Sequence, residues 1–203
     1  ILNTETTDLK KAHLIYKYVI NKIKTTSNKS LMGDSFKEPA DVLKDKSGSS
    51  SEKSMLLINM LRIAGLDAKP VWISTRNNGI ISSDFCDGSQ FNRMICFVKI
   101  ESKNYFLYPV SARSPFGCLT PSTEVPRGLL IDKEKGSIIS IVPEPVISSI
   151  NINTAGSISN EKVLTAKTVI QYSGHAALDE YDIVSEKDIN TYVKDYLKEH
   201  FSE

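Results

Sequence analysis

The side chains able to do covalent chemistry are few and widely spaced in this chain. Its 203 residues include three cysteines and three histidines, at Cys86, Cys96, Cys118, His13, His175 and His200. The cysteines are odd in number and form no C-x-x-C pair, so their spacing gives neither a zinc signature nor a disulfide framework. We therefore predict free thiols that pack as small apolar side chains. No histidine lies between residues 14 and 174 to serve as a base.

A serine cluster at 49–51 precedes a long apolar segment. Ser49 and Glu52 have the spacing of a capping box, in which each side chain accepts a hydrogen bond from the other residue's amide. The segment that follows, through Ala64, carries apolar residues on nearly every face, which predicts a helix buried within its domain. Gly65 is well placed to end that helix.

Other elements must position this helix. Apolar spacing and turn residues predict helices at 8–24 and 39–43, strands at 69–75, 91–101, 104–110 and 128–132, and a polar loop at 25–36. Two of these strands, 91–101 and 104–110, are separated by a short turn and should pair as a hairpin.

The composition changes at the sequence KEKG, residues 133–136, beyond which the chain is rich in Ser, Ile, Val and Asn. We predict a boundary there, with a core domain at 1–135 and a small β-rich domain at 136–203. Strands at 146–153 and 163–172 and an amphipathic helix at 185–201 are predicted in the second domain. A unit this short needs support from the larger domain or from further sequence.

Charge and hydropathy exclude two classes of partner. The formal net charge is +1, from 25 Lys+Arg against 24 Asp+Glu, so there is no excess of cations to meet nucleic-acid phosphates. No apolar run reaches the roughly 18–20 residues that a membrane span requires. Because the chain begins at Ile1, we expect a piece of a longer protein from which a signal or an upstream domain has been removed.

The order of helix, loop, buried helix and antiparallel strands resembles the transglutaminase-like, papain-type core. The matching segments are GSSSEK at 48–53 with MLLINMLRIAGLDAKPVWISTR at 55–76, FNRMICFVKI at 91–100, YFLYPV at 105–110, SPFGCLTP at 114–121 and GLLID at 128–132. The sequence QYSGHAAL at 171–178 is similar to the C-terminal β domain that accompanies this core in bacterial cell-envelope proteins. The resemblance implies an α+β fold, with a buried helix packed on an antiparallel sheet.

Active members of this family use a thiolate at a helix N-terminus, a histidine on the next strand and an acid on the strand after it. The matching positions here hold Ser50, Arg93 and Tyr108. Arginine stays protonated and cannot accept a proton, so the thiol–imidazole mechanism is absent. We therefore expect a pseudoenzyme with no cofactor or metal, a binding or structural module of a larger bacterial envelope protein. The alternative is a hydrolase or acyltransferase with a non-standard nucleophile, Ser50 or a cysteine.

The resemblance also implies a groove where the triad positions meet. Ser50, Arg93 and Tyr108 would lie together there, with Trp72 and Asn92 nearby. Its donors would suit a carboxylate or a sugar, which makes a peptide, a protein or a glycan the candidate partner. The plainer interpretation, which we favour, is that Arg93 pairs with a nearby acid, Tyr108 fills space and Ser50 caps the helix. A periplasmic or cell-envelope location, with an upstream domain of the same chain, follows from the resemblance alone.

Overall fold

Residues 7–26, 31, 36–82, 84 and 87–201 are described by a computed structural model of the chain. Helix α1 (Asp8–Lys22) begins where the Thr7 hydroxyl accepts a hydrogen bond from the amide of Lys10 at 3.3 Å. The side chains that it buries are Ala12, Ile15, Tyr16 and Val19. Helix α2 (Pro39–Asp45) has proline in its first position, where the missing amide costs nothing. Most of the predicted loop at 25–36 lies outside the described residues.

Helix α3 (Ser50–Ile63) begins at the predicted capping box. The Ser49 hydroxyl accepts from the amide of Glu52 at 3.3 Å, and the Glu52 carboxylate accepts from the amide of Ser49 at 2.7 Å. The same carboxylate accepts from the amide of Lys37 at 2.9 Å, which holds the chain before α2 against the start of α3. The capping box is confirmed, and it also joins two separate segments.

A five-stranded sheet packs against these helices. Its strands are β3 (Asp67–Ile73), β4 (Arg93–Ile100), β5 (Lys103–Leu107), β6 (Arg127–Ile131) and β7 (Gly136–Ser140); two short strands, β1 (Lys24–Thr25) and β2 (Ser47–Gly48), pair separately in parallel. The sheet order is β5-β4-β3-β6-β7, and every pairing is antiparallel. The predicted α+β class, with a buried helix on an antiparallel sheet, is confirmed.

Strand β4 separates two apolar clusters. Met94, Cys96 and Val98 join the cluster that includes Leu57 and Leu61 of α3. The alternate residues of the strand, Ile95 and Phe97, join a second cluster that includes Val71, Ile73, Phe106 and Leu119. Because both faces of β4 are buried, the position of its first residue is tightly fixed.

The chain divides into two units, Ile1–Pro145 and Val146–Glu203. The boundary lies after residue 145 and not at the predicted residue 135, because 136–140 forms β7. Leu129 of β6 pairs with Ile138 of β7, so the charged KEKG sequence is the turn of a hairpin within the first unit.

The second unit contains a hairpin of β8 (Ser149–Ile158) and β9 (Leu164–Ser173), followed by helices α4 (Gly174–Glu186) and α5 (Ile189–Phe201). Helix α4 was not predicted from the sequence. Gly174 has φ +61°, and a Cβ there would lie 2.4 Å from the Ile147 carbonyl oxygen. A sharp change of direction at this glycine therefore leads from β9 directly into a helix, and the unit is less β-rich than predicted.

Replacing Glu52 with alanine should lower the free energy of unfolding by about 3 kcal/mol, because two amides lose a charged, buried acceptor. Urea unfolding followed by circular dichroism measures this loss. Glu38→Ala is a matched control: Glu38 precedes α2, is exposed and makes no side-chain cap. That variant should change by less than about 0.5 kcal/mol, and an equal loss in both variants would contradict the role given to Glu52.

Candidate functional site

The first turn of α3 is fully buried. Ser49 to Ser54 are each at most 1% exposed. Ser50 is the first helical residue, and the cap is Ser49, so the prediction that Ser50 caps the helix is wrong. The Ser51 hydroxyl accepts from the amide of Met94 at 3.3 Å, which joins this turn to the start of β4.

Arg93 stands at the start of β4, opposite Ile73 of β3. Its Nη1 donates to the carbonyl of Asn92 at 2.6 Å, and its guanidinium also hydrogen-bonds with Tyr108. Among the described residues no carboxylate forms an ion pair with it, so the predicted acidic partner is missing from this part of the chain.

Tyr108 follows β5 directly, since that strand ends at Leu107 and not at residue 110 as predicted. The side chain is 5% exposed, and burial raises the pKa of the Tyr108 phenol. Hydrogen bonds with Ser50 and Arg93, and the charge of Arg93, act in the opposite direction but do not reverse the shift. The Tyr108 carbonyl accepts from the Tyr16 hydroxyl at 3.4 Å, which holds the residue against α1.

Ser50, Arg93 and Tyr108 therefore form one hydrogen-bonded group, which we call the triad-position network. None of the three can act as a general base at neutral pH: the guanidinium stays charged, and the phenol stays protonated. A serine hydroxyl needs such a base to become a nucleophile. The network can hold the start of α3, the start of β4 and the end of β5 together.

Trp72 and Asn92 have structural contacts. The Trp72 ring lies 6.1 Å from the ring of Phe91, centroid to centroid. The Asn92 amide group accepts from the amide of Thr75 at 3.0 Å and donates to its hydroxyl at 2.9 Å. Asn92 thus fixes the chain after β3, and its carbonyl accepts from Arg93 of the triad-position network.

Lys53, one turn after Ser50, was missed from the sequence. Its Nζ donates to the hydroxyl of Thr25 at 2.9 Å and lies 3.5 Å from the carbonyl of Val110, while the Thr25 hydroxyl donates to that carbonyl at 2.6 Å. Burial lowers the pKa of Lys53 to about 8. The available signal was a lysine on a helix that is otherwise apolar on nearly every face.

The two described cysteines add no activated nucleophile to this group. Cys96 is fully buried in β4, and burial raises the pKa of its thiol; the pKa of the partly buried Cys118 thiol is also raised. Cys86 lies outside the described residues. His13 is an exposed residue of α1. Within the described ranges no cluster of three His, Cys, Asp or Glu side chains could hold a metal ion, and no helix is long and apolar enough to cross a membrane.

Comparisons with known proteins agree with this geometry. The family model described as the transglutaminase-like superfamily matches residues 1–104, just over half of the 203-residue chain. The fold is also similar to that of a candidate protease from Parabacteroides distasonis, with a TM-score of 0.51 and 18% sequence identity over 68% of this chain. The chain spans 25% of the length of that solved relative. No curated protein matches the sequence.

The buried amine of Lys53 predicts a pH-dependent stability. The folded state disfavours the charged amine, with a pKa of about 8 against 10.5 for an ordinary lysine. Between these values the unfolded chain binds more protons, so Lys53 makes the protein more stable as the pH rises. Relative to Lys53→Met, the native protein should therefore gain up to roughly 3 kcal/mol over this range.

Urea unfolding of both proteins, from below the folded pKa to above the unfolded one, measures this difference. Lys99→Met serves as the control because Lys99 is an exposed residue of β4. The difference in free energy of unfolding between Lys99→Met and the native protein should stay constant across this pH range. If the difference between Lys53→Met and the native protein is equally constant, the lowered pKa of Lys53 is refuted.

Proposed function

The chain belongs to the transglutaminase-like superfamily, and on that premise we propose that it is a non-catalytic member, a binding or structural module within a larger bacterial envelope protein. Proteases and acyltransferases are typical of this superfamily, so the proposal depends on the site and not on the fold.

The observation that carries the proposal is the hydrogen bonding of Tyr108. Its phenol stands where an orienting acid would be needed, and it binds the Ser50 and Arg93 side chains directly. A working nucleophile must reach its substrate, whereas Ser50 is 1% exposed. The Tyr108 phenol thus links the side chains at the other two positions, which supports a structural role.

The two described cysteines support the same proposal. A nucleophilic cysteine needs a lowered thiol pKa, and the pKa values of Cys96 and Cys118 are both raised. Complete burial also removes Cys96 from any substrate.

Membership of a larger envelope protein rests on two similarities. The chain spans a quarter of the solved bacterial relative, so a domain of this type can occur within a much longer polypeptide. The 171–178 segment is similar to the C-terminal domain of envelope proteins that carry this core. A peptide, a protein or a glycan remains the proposed class of partner.

One observation favours the second candidate function, a hydrolase or acyltransferase with Ser50 as nucleophile. Lys53 follows Ser50 by one helical turn, and an amine with a pKa of about 8 could accept a proton. Its contacts argue against this role, because Nζ is directed to Thr25 and Val110.

Turnover assays separate the two functions. The full chain is incubated with glutamine peptides and amine donors, and separately with peptide and ester substrates. We expect the native protein, Ser50→Ala and Lys53→Met to give the same background rate. Removing the nucleophile of an enzyme lowers its turnover rate by roughly 10⁴-fold or more. Even weak turnover that depends on Ser50 would therefore appear as a difference between the native protein and Ser50→Ala.

Turnover that disappears in both Ser50→Ala and Lys53→Met would overturn the proposal and establish the serine enzyme. Turnover that Ser50→Ala leaves intact would also overturn it, and would place the nucleophile elsewhere. Circular dichroism melting of each variant provides the control for folding.

A further inference from the structure

We propose that a pocket beside helix α1 binds a small oxyanion carried on a flat, apolar ring. The pocket lies between α1 and the 112–116 segment, and we call it the α1 pocket. Its lining includes Lys10, His13, Lys17, Asn21, Ser114 and Phe116. None of them belongs to the triad-position network, so the proposal stands independently of the proposed function.

One face of α1 forms the wall of this pocket. Lys10, His13, Lys17 and Asn21 are spaced by three, four and four residues, which places their side chains in one row along the helix. Each of the four can donate a hydrogen bond. The buried face of the same helix points the other way, into the apolar core.

The two lysines of this wall have no anionic partner in the described part of the chain. Lys11, on a neighbouring face, pairs with Asp8 at 2.9 Å, whereas no such contact is made by Lys10 or Lys17. The described residues that line the pocket include no aspartate or glutamate. The pocket therefore presents uncompensated positive charge, which selects for an anion.

An aromatic cluster lies beside this row of side chains. Phe116 stacks on the imidazole of His13 with ring centroids 4.0 Å apart, and it contacts Tyr16 edge-on at 5.5 Å and Tyr105 at 5.2 Å. Burial lowers the pKa of His13, which favours the neutral ring. A phenylalanine fixed by three rings gives a flat apolar ligand a rigid surface to pack against.

A polar group completes the wall. The Ser114 residue is 5% exposed, and its hydroxyl has no hydrogen-bond partner of normal geometry, although it lies close enough to Tyr16 to influence the pKa of that phenol. This hydroxyl adds a polar group to the part of the lining that lies beside Tyr16.

The volume limits the size of the ligand. The pocket measures about 280 Å³, which is small beside the sites that hold drug-sized ligands. A single ring with one carboxylate or phosphate group would fit, whereas a glycan chain or a folded peptide would not.

Calorimetric titration of the full chain at low ionic strength tests the proposal. The probes are benzoate and phenyl phosphate, with benzyl alcohol as the ring without charge and inorganic phosphate as the charge without a ring. We expect both aromatic anions to bind at least about tenfold more tightly than either control, because charge and ring contribute together. The order of benzoate and phenyl phosphate identifies the preferred oxyanion.

Variants locate the binding. Lys10→Gln and Lys17→Gln should each weaken binding of the better anion by about tenfold. Lys22→Gln is the matched control, because Lys22 is an exposed lysine of the same helix outside the pocket, and it should have no effect. All three changes are at exposed residues, and nitrogen–proton NMR spectra confirm that the fold is kept.

Three results would overturn the proposal. Benzoate and phenyl phosphate could show no binding at concentrations up to about 10 mM, which would mean that the pocket does not recognise aromatic anions. Benzyl alcohol or inorganic phosphate could bind as tightly as the aromatic anions. The Lys22→Gln variant could lose as much affinity as Lys17→Gln, which would indicate general charge attraction and no defined site.

Discussion

Burial of the first turn of α3 is the constraint on which the rest of the structure depends. A helix N-terminus leaves amide donors without helical partners, and water cannot reach residues 49–54. The protein satisfies two of these groups itself: the Ser49 hydroxyl accepts from the amide of Glu52, and the Glu52 carboxylate accepts from the amide of Ser49. Two side chains of the same turn also accept from other segments, Glu52 from the amide of Lys37 and Ser51 from the amide of Met94, so the helix start fixes the chain before α2 and the strand beside it.

Under the proposed function, this constraint explains why the family framework is kept although the side chains at the three positions differ. The framework brings three side chains to one place; which reaction follows depends on their types. A thiol, an imidazole and a carboxylate would form a relay for proton transfer. Ser50, Arg93 and Tyr108 instead form a hydrogen-bonded cluster in which the phenol stays protonated and the guanidinium stays charged.

How much of this could be predicted depended on the range of each interaction. The Ser49–Glu52 capping box is local, so four residues of sequence sufficed. The meeting of the three triad positions required the family resemblance, because no periodicity relates residues 50, 93 and 108. Lys53 bonds to groups 28 and 57 residues away, which no local pattern reports. The boundary was misplaced because a charged turn inside a hairpin has the composition of a linker.

The central claim is that Ser50 is a buried structural hydroxyl and not a nucleophile. Treatment of the native chain with a fluorophosphonate at neutral pH, followed by intact-mass and peptide mass spectrometry, tests it directly. We expect no adduct on Ser50 beyond the level given by other serines, and the same total labelling in Ser50→Ala. A single adduct on Ser50 of the folded protein, absent from Ser50→Ala, would contradict it.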